Sequence, residues 1–165
     1  MRFKSTTKLL LAATLSSAAV LPAQAAGKVD ISYVKPEEFR DAGRGAVDRQ
    51  RTMASLTQYV QQLGRRLPEG QTLRLEVTDI DLAGEIHPHV RVNDLRVLRG
   101  GADWPRLDLR YTLLDGSRTL KSGEARLADP AYMFWSAGKA GVDSELAYEK
   151  RMLRKWFDET IASQR

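Results

Sequence analysis

The sequence contains no cysteine, and this absence excludes several classes of protein. The chain cannot form disulfides, use a thiol nucleophile, or hold an iron–sulfur cluster or a cysteine-based zinc site. A bacterial lipoprotein needs a cysteine directly after its signal peptide, so we expect no lipid anchor. The absence of cysteine therefore predicts a protein without disulfides that is not attached to a membrane through lipid.

Two motifs of common enzyme classes are also missing. No G-x-S-x-G elbow is present to position a serine nucleophile. No glycine-rich loop of the kind that cradles phosphates is present either. These absences favour a non-catalytic role over an enzyme, and they imply no cofactor.

Long hydrophobic runs are lacking too, and the apolar run at the start of the chain is short. Leu9–Leu21 falls below the roughly 20 residues that a membrane-spanning helix needs. A basic stretch without acids, from Arg2 to Lys8, precedes it, and small residues follow it. This order predicts a signal peptide over residues 1–25, cleaved between Ala25 and Ala26. We expect export to the periplasm of a Gram-negative bacterium, with release to the medium as the alternative.

The excess of positive charge is small once this leader is removed. The full chain has a formal net charge of +5. Three basic residues leave with the leader, which lowers the net charge to about +2. A nucleic-acid-binding protein needs a concentrated basic face, so we expect no nucleic-acid partner.

The patterning of residues 26–165 predicts a single α+β domain. Alternation of apolar and polar residues predicts about five strands, at 29–33, 73–78, 90–97, 107–113 and 118–127. Apolar residues at steps of three and four predict two amphipathic helices, at 46–67 and 143–162. Asp115-Gly116 predicts a hairpin between the last two strands. We therefore expect a largely antiparallel sheet with both helices packed on one face.

The densest polar segment is a predicted loop from Asp79 to His89 that holds both histidines. Its two aspartates are two residues apart, as are its two histidines, so on extended backbone each pair points the same way. Asp79, Asp81, Glu85, His87 and His89 together offer ligands for Zn, Cu, Ni or Mn. The three carboxylates could instead serve a hydrolase as acid and base. The third interpretation is an ordinary structural turn.

Aromatic residues make up 7% of the chain, and several of them are close together. Tyr132, Phe134 and Trp135 are nearly consecutive, and Trp104 belongs to a predicted loop. Interfaces are enriched in these residue types, which makes the group a candidate interaction surface. Aromatic residues of a small domain also fill the core or cover the end of a sheet, and the sequence leaves both interpretations open.

Four arginines of the second half, Arg91, Arg96, Arg106 and Arg110, are candidates for a shared strand face. Such a face would suit an acidic glycan or a lipid headgroup. The alternative is a solvated face in which the arginines pair with nearby aspartates such as Asp108.

Three segments resemble a known family. They are VTDIDLAGE over residues 77–85, RLDLRY over residues 106–111 and LAYEKRMLRKWF over residues 146–157. Together they resemble a secreted proteobacterial family, the domain of unknown function 3016, over nearly the whole chain that follows the leader. The resemblance implies an exported one-domain bacterial protein and brings no established activity. It does not extend to the two histidines, which weakens the metal hypothesis.

These observations lead to three functional hypotheses. The first is a non-catalytic binding or envelope-accessory module whose partner is an envelope protein or a small ligand. The second is a periplasmic metal-binding protein that uses the loop from Asp79 to His89. The third is a hydrolase that uses the carboxylates of Asp79, Asp81 and Glu85.

Overall fold

The computed structural model describes residues 27–86, 96–134 and 145–163. These residues form six strands: β1 (Lys28–Tyr33), β2 (Gln71–Asp81), β3 (Glu85–Ile86), β4 (Arg96–Val97), β5 (Arg106–Asp115) and β6 (Arg118–Ala128). They also form two helices, α1 (Gly45–Gly64) and α2 (Ala147–Trp156), and α2 continues as a π-helical segment over Phe157–Ala162. Single 3₁₀ turns lie at Pro36–Glu38 and Tyr132–Phe134. The predicted leader and the cleavage point between Ala25 and Ala26 lie outside the described residues.

The strands form a mixed sheet of four, in the order β1-β2-β5-β6, and a separate two-stranded sheet of β3 and β4. This confirms the α+β class. The structure differs in two ways from the expected single sheet of about five largely antiparallel strands. β1 is parallel to β2, and β3 and β4 form a separate sheet. The parallel pair arises because α1 carries the chain from β1 to the start of β2, as a parallel connection requires.

One face of the four-stranded sheet carries the hydrophobic core. On β2 and β5 the buried residues alternate with polar ones, as the strand pattern predicts. Leu56, Val60 and Leu63 of α1 and Phe157 and Ile161 at the end of the chain pack into the same cluster. Both helices therefore lie on this face, and the opposite face of the sheet is polar and is covered by neither helix.

A β-bulge extends β2 beyond its predicted end. The register with β5 shifts between Val77 and Asp79, and the extra residue is Thr78. Because the bulge resets the alternation, Val77 and Ile80 both face the core. The strand therefore runs to Asp81, where the alternation alone predicts a loop.

The second helix begins later than its pattern predicts. Its first residue is Ala147, and the preceding Leu146 has a left-handed backbone with φ of 55°. The apolar stripe then continues through Leu153 and Trp156, both of which are buried. No helix of the described residues is both long enough and apolar enough to cross a bilayer.

Gly64 sets the distance between α1 and β1, and its replacement is a test of the fold. A Cβ built on Gly64 would lie 2.3 Å from Cγ2 of Val29. We expect Gly64→Ala to lower the free energy of unfolding by about 1–3 kcal/mol, because the added methyl overpacks this contact. Urea denaturation measures the effect. Gly101→Ala is the control, since a Cβ there meets nothing within 4 Å, and equal stability of the two variants would contradict the close helix–strand contact.

Candidate functional site

Five charged residues meet on the open face of the sheet, and we call them the charged cluster: Arg40, Asp79, Asp81, Arg106 and Asp108. Asp79 lies directly opposite Asp108 in the β2–β5 register, and Asp81 lies opposite Arg106. Two like charges in direct opposition destabilise a sheet. A positive charge beside Asp79 and Asp108 therefore stabilises the sheet.

Arg40, in the loop between β1 and α1, supplies much of that charge. Its backbone N–H donates to Oδ1 of Asp79 at 2.9 Å, and its Nε donates to the other oxygen of the same carboxylate. Its Nη1 lies 3.7 Å from Oδ2 of Asp81, and its Nη2 lies 3.5 Å from Oδ2 of Asp108. The hydrogen bond to Asp79 is the main reason that the pKa of Arg40 is raised. One guanidinium therefore bridges three carboxylates.

Arg106 completes the cluster from the neighbouring strand. Its Nη1 donates to Oδ2 of Asp81 at 2.6 Å. Its guanidinium lies 4.5 Å from the ring centroid of Trp104, within the range of a cation–π contact. Each aspartate of the charged cluster therefore has an arginine partner. A metal ion or a catalytic role for Asp79 and Asp81 would have to displace these partners.

A second ion pair lies next to the cluster and fixes the end of β2. The N–H of Asp41 donates to the carbonyl of Ile80 at 2.9 Å, and the N–H of Leu82 donates to the carbonyl of Asp41 at 3.0 Å. Both terminal guanidinium nitrogens of Arg96, Nη1 and Nη2, donate to the carboxylate of Asp41, at 2.8 and 3.1 Å. Nη1 of Arg96 also donates to the carbonyl of Gly84 at 2.8 Å. This pair joins β4, the turn after β2 and the loop before α1.

The side chain of Glu149 joins the same turn to α2 from inside the protein. The residue is 2% exposed, and its Oε1 accepts a hydrogen bond from the N–H of Ala83 at 2.8 Å. Burial raises the pKa of Glu149, while that hydrogen bond and the charge of Arg96 act in the opposite direction. Glu149 is thus a buried acceptor that satisfies the backbone of the turn.

A cleft of about 430 Å³ opens beside these contacts. It lies between the first turns of α1, the end of β2, the β3–β4 sheet and the residues before α2. Its charged lining comprises Arg44, Arg51, Arg96, Asp48 and Glu145. Three arginines and two carboxylates line the cleft, and one of these arginines, Arg96, is paired with Asp41.

Apolar as well as charged residues line the cleft. Leu82, Ile86 and Leu146 supply the apolar part. Arg51, 66% exposed, pairs with Asp48 at 3.3 Å. The volume falls within the range of about 300–1,000 Å³ that small-molecule sites occupy. Apolar surface beside a few charged groups is also the usual composition of such sites.

The structure brings together only part of the predicted polar segment. Asp79 and Asp81 meet in the charged cluster, whereas Glu85 is exposed on β3. His87 and His89 lie outside the described residues. In the part of the chain that the structure describes, no group of three or more of the usual ligand residues is placed to hold a metal. The metal hypothesis, which needs the histidines, therefore stays a prediction.

The predicted aromatic surface is divided by the fold. Tyr132 is 1% exposed, and its hydroxyl donates to Oδ1 of Asp103 at 2.9 Å. Trp104 is half-buried beneath Arg106. Phe134 is 89% exposed, and Trp135 lies outside the described residues. Tyr132 thus contributes to packing, and among the described members of this group Phe134 faces solvent.

For three residues of the site, the sequence gives a weak indication or none that they belong to it. Arg40 and Asp41 lie in a loop without periodicity, so nothing local indicates that they reach β2. Glu149 does carry a signal, because it is a charged residue on the apolar stripe that includes Met152 and Trp156. A charge at a buried helical position usually marks a partner on another element.

Comparison with known proteins finds one match. DUF3016, a protein family of unknown function, matches residues 27–159. No curated protein and no solved structure matches the chain. The matched range includes the charged cluster, the ion pair of Asp41 with Arg96, and Glu149. The chain therefore belongs to the DUF3016 family.

Proposed function

We propose that this chain is a non-catalytic binding module of the bacterial cell envelope, and that it binds a small organic acid. The cleft beside α1 carries the proposal. Its arginine-rich lining suits a carboxylate or a phosphate, and its apolar lining residues suit the hydrocarbon part of such a ligand.

The geometry of arginine supports this ligand class. A guanidinium offers paired N–H donors that match the two oxygens of a carboxylate or a phosphate. Arg96 already makes this bidentate contact with Asp41, so that pair anchors the wall of the cleft. Arg51 is more exposed, and its i,i+3 pair with Asp48 is of the kind that contributes little to stability. Arg51 can therefore exchange Asp48 for a ligand at small cost.

The carboxylates predicted for a hydrolase, Asp79, Asp81 and Glu85, do not line the cleft. Acid–base catalysis needs a carboxylate within reach of a substrate in a cleft. Asp79 and Asp81 lie on the open sheet face, where they are engaged by Arg40 and Arg106. The cleft is lined instead by Asp48 and Glu145, which stand among arginines.

Thermal denaturation with paired ligands tests the proposal. Benzoate and phenyl phosphate are compared with benzamide, which has a similar ring and no negative charge. We expect the acids to raise the melting temperature and the amide to leave it unchanged. A ligand at one hundred times its Kd stabilises a protein by about 2.7 kcal/mol. If none of a broader series of carboxylates and phosphates acts at millimolar concentration, the proposal is wrong.

Arg51→Glu and Arg65→Glu form a matched pair of variants for this experiment. Both replace an exposed arginine of the α1 region by an acid, but only Arg51 lines the cleft. We expect Arg51→Glu to weaken binding by about tenfold or more, because an attractive contact becomes a repulsive one. Arg65→Glu should bind as the wild type does. Equal affinities of the two variants would place the ligand elsewhere.

Export to the periplasm is part of this proposal, and the leader supports it. We expect the mature protein to begin at Ala26 and to appear in the periplasmic fraction after osmotic shock. Mass spectrometry of the purified protein identifies its first residue. An intact Met1 in protein from the cytoplasmic fraction would contradict the proposed location.

A further inference from the structure

The outer strand β6 has an edge with no neighbour among the described strands. β6 pairs with β5 on one side and ends the four-stranded sheet on the other. It is eleven residues long, and a long edge offers unpaired backbone groups to another strand. Proteins usually protect such edges with bulges, charges that point toward the core, or prolines.

A bulge and a core-facing charge protect the first half of β6 and are missing from the second. The register with β5 shifts where Leu120 is inserted, so a bulge interrupts the first half. Lys121, opposite the core residue Leu113, places a charge in the core-facing row, and its Nζ donates to the carbonyl of Thr160 at 2.9 Å. Residues 122–128 pair regularly with β5 and contain no bulge, no proline and no charge in the core-facing row. We call residues 122–128 the free edge.

From this asymmetry and the charge pattern we infer that the free edge pairs with the free edge of a second copy of this chain. The two strands run antiparallel about a two-fold axis at Ala125. The axis stands perpendicular to the sheet, so the two sheets join into one of eight strands. The helices of both copies lie on one side, and the polar faces lie on the other.

The charges on the open face select this register. With the axis at Ala125, Glu124 of each copy lies opposite Arg126 of the other. Both are exposed, and opposite charges in direct cross-strand positions are favourable. An axis at Glu124 would oppose two glutamates, and an axis at Arg126 would oppose two arginines. An axis at Gly123 would oppose Glu124 to Ser122, without charge pairing.

The core-facing row is compatible with the same register. Ala125 lies opposite its own copy, and Leu127 lies opposite Gly123. A small side chain therefore meets a small one at the axis, and the large leucine meets a glycine on either side. The partly buried Ala125 and Leu127 already pack against the core, and pairing would cover them further.

The interface is small, and this determines how it is measured. Seven residues from each strand form a contact of the weak, concentration-dependent class. We expect sedimentation velocity of the mature chain to show a monomer–dimer equilibrium that shifts with protein concentration. A monomer at every concentration up to about millimolar would overturn the inference, and so would a stable tetramer.

The absence of native cysteine makes the register directly testable. In Ala125→Cys the new thiol lies opposite its own copy, where the Cα atoms of paired residues are about 4.5–5.5 Å apart, within reach of a disulfide. In Ser122→Cys the two thiols lie six residues apart along the strands, about 20 Å. We expect oxidation to link Ala125→Cys into a dimer and to leave Ser122→Cys monomeric. Equal linking of the two would show random collision and overturn the register.

Charge reversal tests the interaction without depending on oxidation. Glu124→Arg and Arg126→Glu each create two repulsive pairs per dimer, so each should raise the dimer Kd about tenfold or more. The double variant restores both pairs and should return the Kd to near that of the wild type. Circular dichroism confirms that each variant is folded. If the dimer Kd of the double variant does not return toward that of the wild type, the proposed pairing is overturned. It is also overturned if the free edge pairs with another envelope protein in place of its own copy.

Discussion

Replacing Glu149 by alanine is expected to lower the free energy of unfolding by about 2–4 kcal/mol. Two effects combine in this estimate. The N–H of Ala83, which donates to Glu149 at 2.8 Å, loses its acceptor inside the protein, and an unsatisfied buried donor costs about 1–3 kcal/mol. The truncated side chain also leaves a cavity, which adds a further cost. The turn after β2 would then lose its attachment to α2.

Urea denaturation of three variants separates the two effects. Glu149→Gln keeps the shape and an oxygen acceptor for Ala83, so it should retain most of the stability at acidic pH. Glu159→Ala, at an exposed position in the last part of the same helical segment, controls for loss of a helical glutamate and should change the stability by less than about 0.5 kcal/mol. If Glu149→Ala were as stable as Glu159→Ala, the buried hydrogen bond would contribute nothing.

The same residue predicts a pH dependence with a definite sign. Burial raises the pKa of Glu149 above its ordinary value of 4.5, so the folded protein holds this proton more tightly than the unfolded chain. The stabilisation from protonation is complete below about pH 4.5 and is lost as the pH rises through the folded-state pKa. Around Glu149, the charge of Arg96 lowers the pKa and that of Asp41 raises it.

Glu149→Gln should remove this dependence because glutamine does not titrate. The stability of the variant relative to the wild type should therefore increase between pH 4 and pH 8. Denaturation at matched ionic strength across that range measures the difference. A constant difference between the two proteins would show that burial of Glu149 does not affect its ionisation.

The parts of the fold set by local periodicity could be predicted from the sequence. The strand pattern over residues 107–113 and the helical stripe over residues 46–67 correspond to β5 and α1, because each element turns one apolar face toward the same core. The hairpin at Asp115-Gly116 was also predictable, since the turn residues select that connection. Each of these depends on residues that are neighbours in the chain.

The parts set by contacts between distant segments could not be predicted in the same way. Alternation gives no information on whether β1 runs parallel to β2, since parallel and antiparallel strands show the same period. The bulge at Thr78 hides the continuation of β2, because the alternation changes phase there. The charged cluster draws on a loop and two strands, and only the β2–β5 register reveals that Asp79 faces Asp108.

Loss of the Arg40 guanidinium is the second large effect that we expect, and Arg40→Met is the variant that removes it. Methionine keeps an unbranched aliphatic stem and leaves Asp79 opposite Asp108 without the bridging charge. We expect the free energy of unfolding to fall by about 1–3 kcal/mol, because one change removes contacts to three carboxylates and exposes their repulsion. Single exposed ion pairs contribute less than about 1 kcal/mol. Arg118→Met, which within the described ranges removes a single ion pair, with Asp115 at 3.4 Å, should therefore cost much less.

The repulsion that Arg40 offsets can be identified by rescue. Adding Asp108→Asn to Arg40→Met removes the like charge opposite Asp79, so the double variant should recover part of the lost stability. The deficit of the single variant should also shrink in 1 M salt, where the screening length falls to about 3 Å. Thermal and urea denaturation at two salt concentrations measure both effects. A deficit that neither Asp108→Asn nor salt reduces would mean that Arg40 does not act by offsetting the repulsion between Asp79 and Asp108, and that the three aspartates coexist without it.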